Sequence, residues 1–183
     1  MKTTIYCIIG ASGSGKSTIV NKIKHTFKIP EIISYTNRPM RKDETNGDTH
    51  CFIKGLPGKD AFIEGRYGGY DYWVRESQIK LCTSFDKVLY IIDEKSFGTF
   101  KDNIERFNLE NRDSTNSEVC TEIRVVPIYI IRSSIDIDPS RANRDNDNKI
   151  SFKYSNIGYI VHNNGTIDDT VNEILNIINT DDK

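Results

Sequence analysis

The chain has no Cys-x-x-Cys pair, no long apolar run and no excess of positive charge, and each absence removes a class of function. Its cysteines, Cys7, Cys51, Cys82 and Cys120, are scattered, so neither a zinc site nor a disulfide framework is expected and a reducing cytoplasm is the natural setting. No stretch approaches the roughly 18 apolar residues of a membrane span, and the N-terminus runs straight into a strand, so no signal peptide and no anchor are expected. With 25 basic against 26 acidic residues and a formal net charge of -1, there is no global field to hold nucleic acid or an anionic membrane. Local arginines must carry any anion binding.

What is present begins at Gly10. Residues Gly10-Ala11-Ser12-Gly13-Ser14-Gly15-Lys16-Ser17 form a complete G-x-x-x-x-G-K-[ST] phosphate-binding loop directly after the apolar run Ile5 to Ile9. Backbone N–H groups must close around the phosphates, and Gly13 and Gly15 remove the Cβ atoms that would obstruct them. Lys16 then reaches the β- and γ-phosphates of a nucleoside triphosphate, and Ser17 supplies a hydroxyl to Mg²⁺. From Thr18 onward Ile19, Val20, Ile23 and Phe27 recur at helical spacing, which sets the phosphates at a helix N-terminus. ATP with Mg²⁺ is the expected cofactor.

Strands are expected at Thr3 to Ile9, Glu31 to Ser34, Lys87 to Ile92, Arg124 to Ile131 and Ile157 to His162. Helices are expected at Lys16 to Phe27, Glu94 to Asn108 and Ile167 to Ile178. This alternation predicts an α/β P-loop fold in three layers, a parallel core sheet between helices, in one kinase-sized domain of 183 residues. Pro127 suggests that its strand is an edge, or that the proline stands early in it. Between Ser34 and Ser84 short aromatic and Gly-containing segments replace the alternation. They predict an inserted lobe over 35–84, with small strands and one helix near Asp60 to Glu64, against a core of 1–34 and 85–183. Residues 108–122 read as a polar loop. A second polar stretch, about 132–150, carries Arg132, Arg141 and Arg144 after the C-terminal end of a strand, where a short lid closing over a nucleotide is expected.

A phosphate loop names a ligand and leaves the reaction open. No Asn-Lys-x-Asp guanine reader follows a later strand, and Asn21-Lys22 lies inside the first helix, which argues against a GTPase. A kinase for a phosphorylated acceptor needs a second anion pocket, since donor and acceptor both bring negative charge. Arg38 and Arg41, just past the second strand, offer planar forks suited to one phosphate. The alternative is a solvated basic loop.

Ser34-x-x-x-Arg38-x-x-Arg41-x-x-Glu44-x-x-Gly47-x-x-x-x-Phe52 resembles the acceptor-binding segment of guanylate kinases, and it stands at that family's distance from the phosphate loop. Phe62-Ile63-Glu64 resembles the segment bearing the family's guanine-binding carboxylate, and Asp93 its acidic residue after the third core strand. Tyr159 to Asn164 resembles the closing strand. The resemblance implies that Thr18 extends the ATP-binding loop, that Arg38, Arg41 and Glu44 bind the acceptor phosphate, that Ser34 and Glu64 read its base, and that Asp93 lies near Mg²⁺ or the acceptor. A carboxylate accepts from N1–H and the exocyclic amine of guanine together, a pattern adenine lacks. The chain departs from the family where His50 replaces a phosphate-binding Tyr, and where Tyr72-Trp73-Val74 replaces Tyr-Gly-Ser. Val74 cannot donate a hydrogen bond, and protonation of His50 would make activity sensitive near pH 6 to 7. Lys16, Arg38, Arg141 and Arg144 are the candidates for neutralising the transferred phosphoryl group, with Arg132 third among the lid arginines. The expected reaction converts ATP and GMP or dGMP to ADP and the diphosphate, in a monomer or homodimer. A same-fold kinase for another nucleoside monophosphate or a sugar phosphate, a catalytically silent module binding a phosphorylated partner, and a regulatory ATPase are the alternatives.

Overall fold

The computed structural model describes residues 2–42, 44–113, 122–133 and 158–181. Strand β1 (Lys2–Ile9) runs into the phosphate loop and helix α1 (Lys16–Phe27). Next come β2 (Glu31–Ile32), β3 (Tyr35–Thr36), β4 (Cys51–Phe52), β5 (Ala61–Tyr67), β6 (Tyr70–Arg75) and helix α2 (Glu76–Cys82). The chain then passes through β7 (Lys87–Ile91), α3 (Glu94–Asp113), β8 (Glu122–Ile131), β9 (Tyr159–His162) and α4 (Ile167–Thr180).

Five strands form a parallel sheet in the order β2-β7-β1-β8-β9. Its centre, β1, is buried on both faces, as its unbroken apolar run requires. Alternation sends Ile5, Cys7 and Ile9 to one side, against Phe97, Phe100 and Ile104 of α3. Tyr6 and Ile8 go to the other, against Ile19 and Ile23 of α1 and Val171 and Ile174 of α4. This is the expected α/β P-loop architecture, with helices on both faces. Pro127 lies within β8, which is an interior strand and not an edge. The β9 ladder begins only at Ile128, so at Pro127 the strand is unpaired on that side and a missing N–H is tolerated.

A second, four-stranded sheet, β4-β3-β6-β5, grows from the end of β2. Here the expectation of a helix near Asp60 to Glu64 fails: those residues enter strand β5, and the lobe's helix is α2. The cause is a bulge. Ala61 pairs with Arg75 but Ile63 pairs with Val74, so two steps on β5 match one on β6 and Phe62 is the extra residue. Its carbonyl accepts from Asn103 of α3 at 2.7 Å instead of joining the ladder. The adjacent apolar pair Phe62-Ile63 therefore packs toward α3, Phe62 meeting Phe100 and Phe107 edge-on, which in sequence imitates a helix period.

Candidate active site

The phosphate loop sits at the carboxyl end of the parallel sheet, pinned from two sides. Gly10, Gly13 and Gly15 all have positive φ. A Cβ on Gly10 would lie 2.4 Å from the Ile130 carbonyl, and one on Gly15 2.4 Å from the Asn163 amide nitrogen. Asn163, at the end of β9, donates to the Ser14 carbonyl at 2.8 Å and accepts from the Thr170 hydroxyl of α4 at 3.0 Å. It is a buried brace that sequence reasoning missed. The only signal for it was its place just past a parallel strand's carboxyl end. Lys16 donates to the Gly10 and Ala11 carbonyls at 2.6 and 2.7 Å, which folds its ammonium over the loop. Among the described residues, Ser14 Oγ is buried without a hydrogen-bond partner.

Two cavities meet here. The larger, about 710 Å³, runs from Ser17 and Thr18 to Arg38, Arg41, Glu44 and Arg132. The smaller, about 260 Å³, contains Ser34, Glu64, Tyr67, Asp93 and Ser96. Ser12, Lys16, His50 and Tyr72 line both. Of the residues singled out in the sequence, the phosphate loop, Ser34, Arg38, Arg41, Glu44, His50, Glu64, Tyr72, Asp93 and Arg132 thus border one connected space. Arg141 and Arg144 lie outside the described residues.

Arg38 is 8% exposed and sits over the Phe52 ring, 4.8 Å from its centre. Its guanidinium meets both oxygens of Glu44 at 2.7 and 2.5 Å, and Glu44 also accepts from the Arg41 backbone N–H at 2.8 Å. The Arg38 hydrogen bonds hold the Glu44 carboxyl down to about 2, well below the usual range. His50 behaves otherwise than the sequence suggested. Burial, reinforced by Arg38, pushes it down to about 4, so it is neutral at pH 7 and does not titrate between pH 6 and 7.

Asp93 caps α3: its carboxylate accepts from the Ser96 N–H at 2.9 Å, and its carbonyl from Phe97 N–H at 3.1 Å. Tyr67 also hydrogen-bonds to Asp93 and Ser96, and burial, aided by Asp93, raises its phenol. Ser34 hydrogen-bonds to the buried Tyr90 phenol. Trp73 is 2% exposed and stacks on Tyr35 at 5.8 Å, so its bulk is part of the lobe's packing.

The guanylate kinase of Anaplasma phagocytophilum superposes with a TM-score of 0.69, over 98% of this chain and 86% of that one, at 19% identity. In sequence, 70 residues are 44% identical to the guanylate kinase of Koribacter versatilis, covering 35% of this chain and 30% of that protein. The chain falls in the guanylate kinase family. A further 85 residues match the guanylate kinase of Nitrosomonas europaea at 29% identity, over 40% of this chain and 42% of that protein. Each of these sequence alignments thus spans less than half of the curated guanylate kinase's length. No protein-family model matches the chain. The fold is therefore that of the guanylate kinases, while the chemistry has to be argued from the site.

Proposed function

We propose that the chain transfers the γ-phosphoryl group of ATP to the phosphate of a nucleoside monophosphate, with GMP or dGMP the preferred acceptor, releasing ADP and the diphosphate. One observation carries the reading: Lys16 lines both cavities, between a phosphate loop on one side and Arg38 and Arg41 on the other. A triphosphate site alone does not call for a second cluster of buried guanidinium groups. Two phosphates drawn to one lysine does.

The residues fit the cofactor. The positive-φ glycines leave room only for ligand at the loop, and Ser14 Oγ is a buried polar atom that a phosphate oxygen would satisfy. Among the described residues no group of three or more His, Cys, Asp or Glu could hold a metal by itself. A Mg²⁺ ion would be shared between phosphate oxygens and the Ser17 hydroxyl, as its preference for few protein ligands allows, and would neutralise charge on the phosphates when bound. Asp93, committed to the α3 cap, is the weaker candidate ligand.

An acceptor phosphate oxygen is already nucleophilic, so the chain's contribution is to hold two phosphates in line and to neutralise developing charge. Lys16 and Arg38 do this within the described residues, with Arg132 at the rim of the larger cavity. Arg141 and Arg144 are proposed to complete it. The test is ADP formation from ATP and Mg²⁺ with GMP, dGMP, AMP, CMP, UMP or dTMP, against a control without acceptor. Turnover that depends on GMP or dGMP supports the proposal. Equal turnover without acceptor would instead identify an ATPase, and no turnover a binding module.

A further inference from the structure

The bulge at Phe62 has a consequence for which carboxylate meets the acceptor's base. Directly paired residues of neighbouring strands share a face, and successive residues alternate. Gly65 pairs with Tyr72 and Tyr67 with Tyr70, while Ile63 pairs with Val74. Tyr72 borders the phosphate cavity and hydrogen-bonds to Arg38, so this face is the one turned to the acceptor. Gly65 confirms it, since a Cβ there would stand 3.2 Å from Ser96 Oγ. Glu64 pairs with Trp73, which pairs in turn with Tyr35. Those three occupy the opposite face, where Glu64 is exposed. Without the bulge, Glu64 would share a face with Phe62 and turn toward the core; the extra residue reverses its direction.

On the acceptor face the positions nearest in register are aliphatic, Ile63 and Val74, both buried in the core. The carboxylate that remains on that side is Asp93. It is held by two donors, the Ser96 N–H and the Tyr67 hydroxyl, the second arriving from the lobe. A carboxylate keeps further lone pairs for a ligand after accepting two bonds. Its orientation, with the lobe in place, is fixed.

Resting on the proposed monophosphate acceptor, we infer that the base edge is read by Asp93, with Tyr67 the positioning residue that aims it, and that Glu64 takes no part. The ligand class follows from the chemistry: a base that offers two adjacent donors, a ring N–H and an exocyclic amine, of which guanine is the common case. Hypoxanthine keeps only the ring donor, and adenine only the amine. An aliphatic floor of Ile63 and Val74 adds no competing polar reading.

Binding separates this inference from the proposed activity. The chain has a single tryptophan, Trp73, which lines the smaller cavity, so its fluorescence can follow titration with GMP, IMP and AMP without turnover. Glu64→Gln should leave the GMP dissociation constant within about twofold of the parent, whereas Asp93→Asn should weaken GMP by about tenfold and AMP little. Tyr67→Phe should lower the GMP-to-AMP preference by about fivefold, and unchanged ATP binding in each variant shows that the fold is intact. A collapse of GMP preference in Glu64→Gln, with Tyr67→Phe and Asp93→Asn indistinguishable from the parent, would overturn the inference. So would a parent chain that binds the three nucleotides equally or not at all. If discrimination is found but no phosphoryl transfer, the inference stands and the proposed activity falls.

Discussion

Arg38 is the residue on which the acceptor pocket turns, and its charge is already answered by Glu44. Neither fact can be read from the pair's separation in sequence, which fits a solvated loop equally well. Burial decides between the two, because a guanidinium at 8% exposure needs a partner. Two adjoining pH windows follow. Glu44 titrates near 2 in the folded chain against 4.5 ordinarily, so its contribution to stability is complete above about 4.5 and is lost as pH falls toward 2. His50 is a base kept neutral to about 4 instead of 6.5, so the unfolded chain takes up the extra proton and stability falls as pH drops from 6.5 to 4. Glu31 works against this between about 6 and 4.5, since burial raises its carboxyl to about 6 and the folded state there binds the extra proton. Thermal melts of His50→Gln should therefore flatten relative to the parent between pH 6.5 and 4. Glu44→Gln should flatten below 4.5 and cost about 1–3 kcal/mol at pH 7, because Arg38 loses its ionised partner. Parallel pH profiles for parent and variants would show that neither group is linked to folding.

At the scale of elements, what was legible was what a strand or helix can announce by itself. Double-sided burial shows as the unbroken apolar runs of β1, β7 and β8, and the phosphate loop follows from composition and its place between a strand and a helix. What depends on pairing stayed hidden. A bulge cannot be seen in one strand, since it is a mismatch with a neighbour, and Phe62-Ile63 read as helix for that reason. Asn163 was hidden likewise: its partners are Ser14 and Thr170, far apart in the chain, and it acts by bridging the phosphate loop to α4. Because Gly15 packs against the Asn163 amide and Ser14 accepts from it, the brace fixes the direction in which the loop's N–H groups point. Asn163→Ala should thus raise the KM for ATP by about tenfold while the KM for the acceptor stays within about twofold. Thr170→Val, which removes only the outer bond, should have a smaller effect in the same direction. An equal rise in both KM values would mark Asn163 as a general support of the fold and not of the loop.

The whole molecule is two sheets joined beside the site, and the join is what allows donor and acceptor to be brought together. Part of it is made by α1, the helix that carries the phosphate loop. Lys24 donates to the Asp48 carbonyl and carboxylate at 3.0 and 3.1 Å, and Asn21 reaches the same carboxylate at 3.3 Å. Lys24 also pairs with Glu31 at 3.0 Å, at the end of the core sheet. Asp48 lies in the loop between Glu44 and His50, so this contact ties the acceptor phosphate pocket to the helix that holds the donor. From the other side, Asn103 of α3 holds the Phe62 carbonyl and Tyr67 meets Asp93. Closure of the lobe is expected to pivot between these two attachments, since water has to be kept from the γ-phosphate during transfer. Asp48→Ala removes the carboxylate from the first attachment and leaves the phosphate loop and Arg38 in place. It should raise the acceptor KM by about three- to tenfold and reduce kcat, with ATP binding unchanged, and backbone amides of residues 44–52 should exchange faster with solvent. Because the Lys24–Asp48 pair is partly exposed, raising the salt concentration should move the parent toward the variant, while the variant itself responds little. If acceptor KM and amide exchange both stay at parental values, α1 does not hold the lobe, and alignment of the two phosphates must rest on the α3 attachment alone.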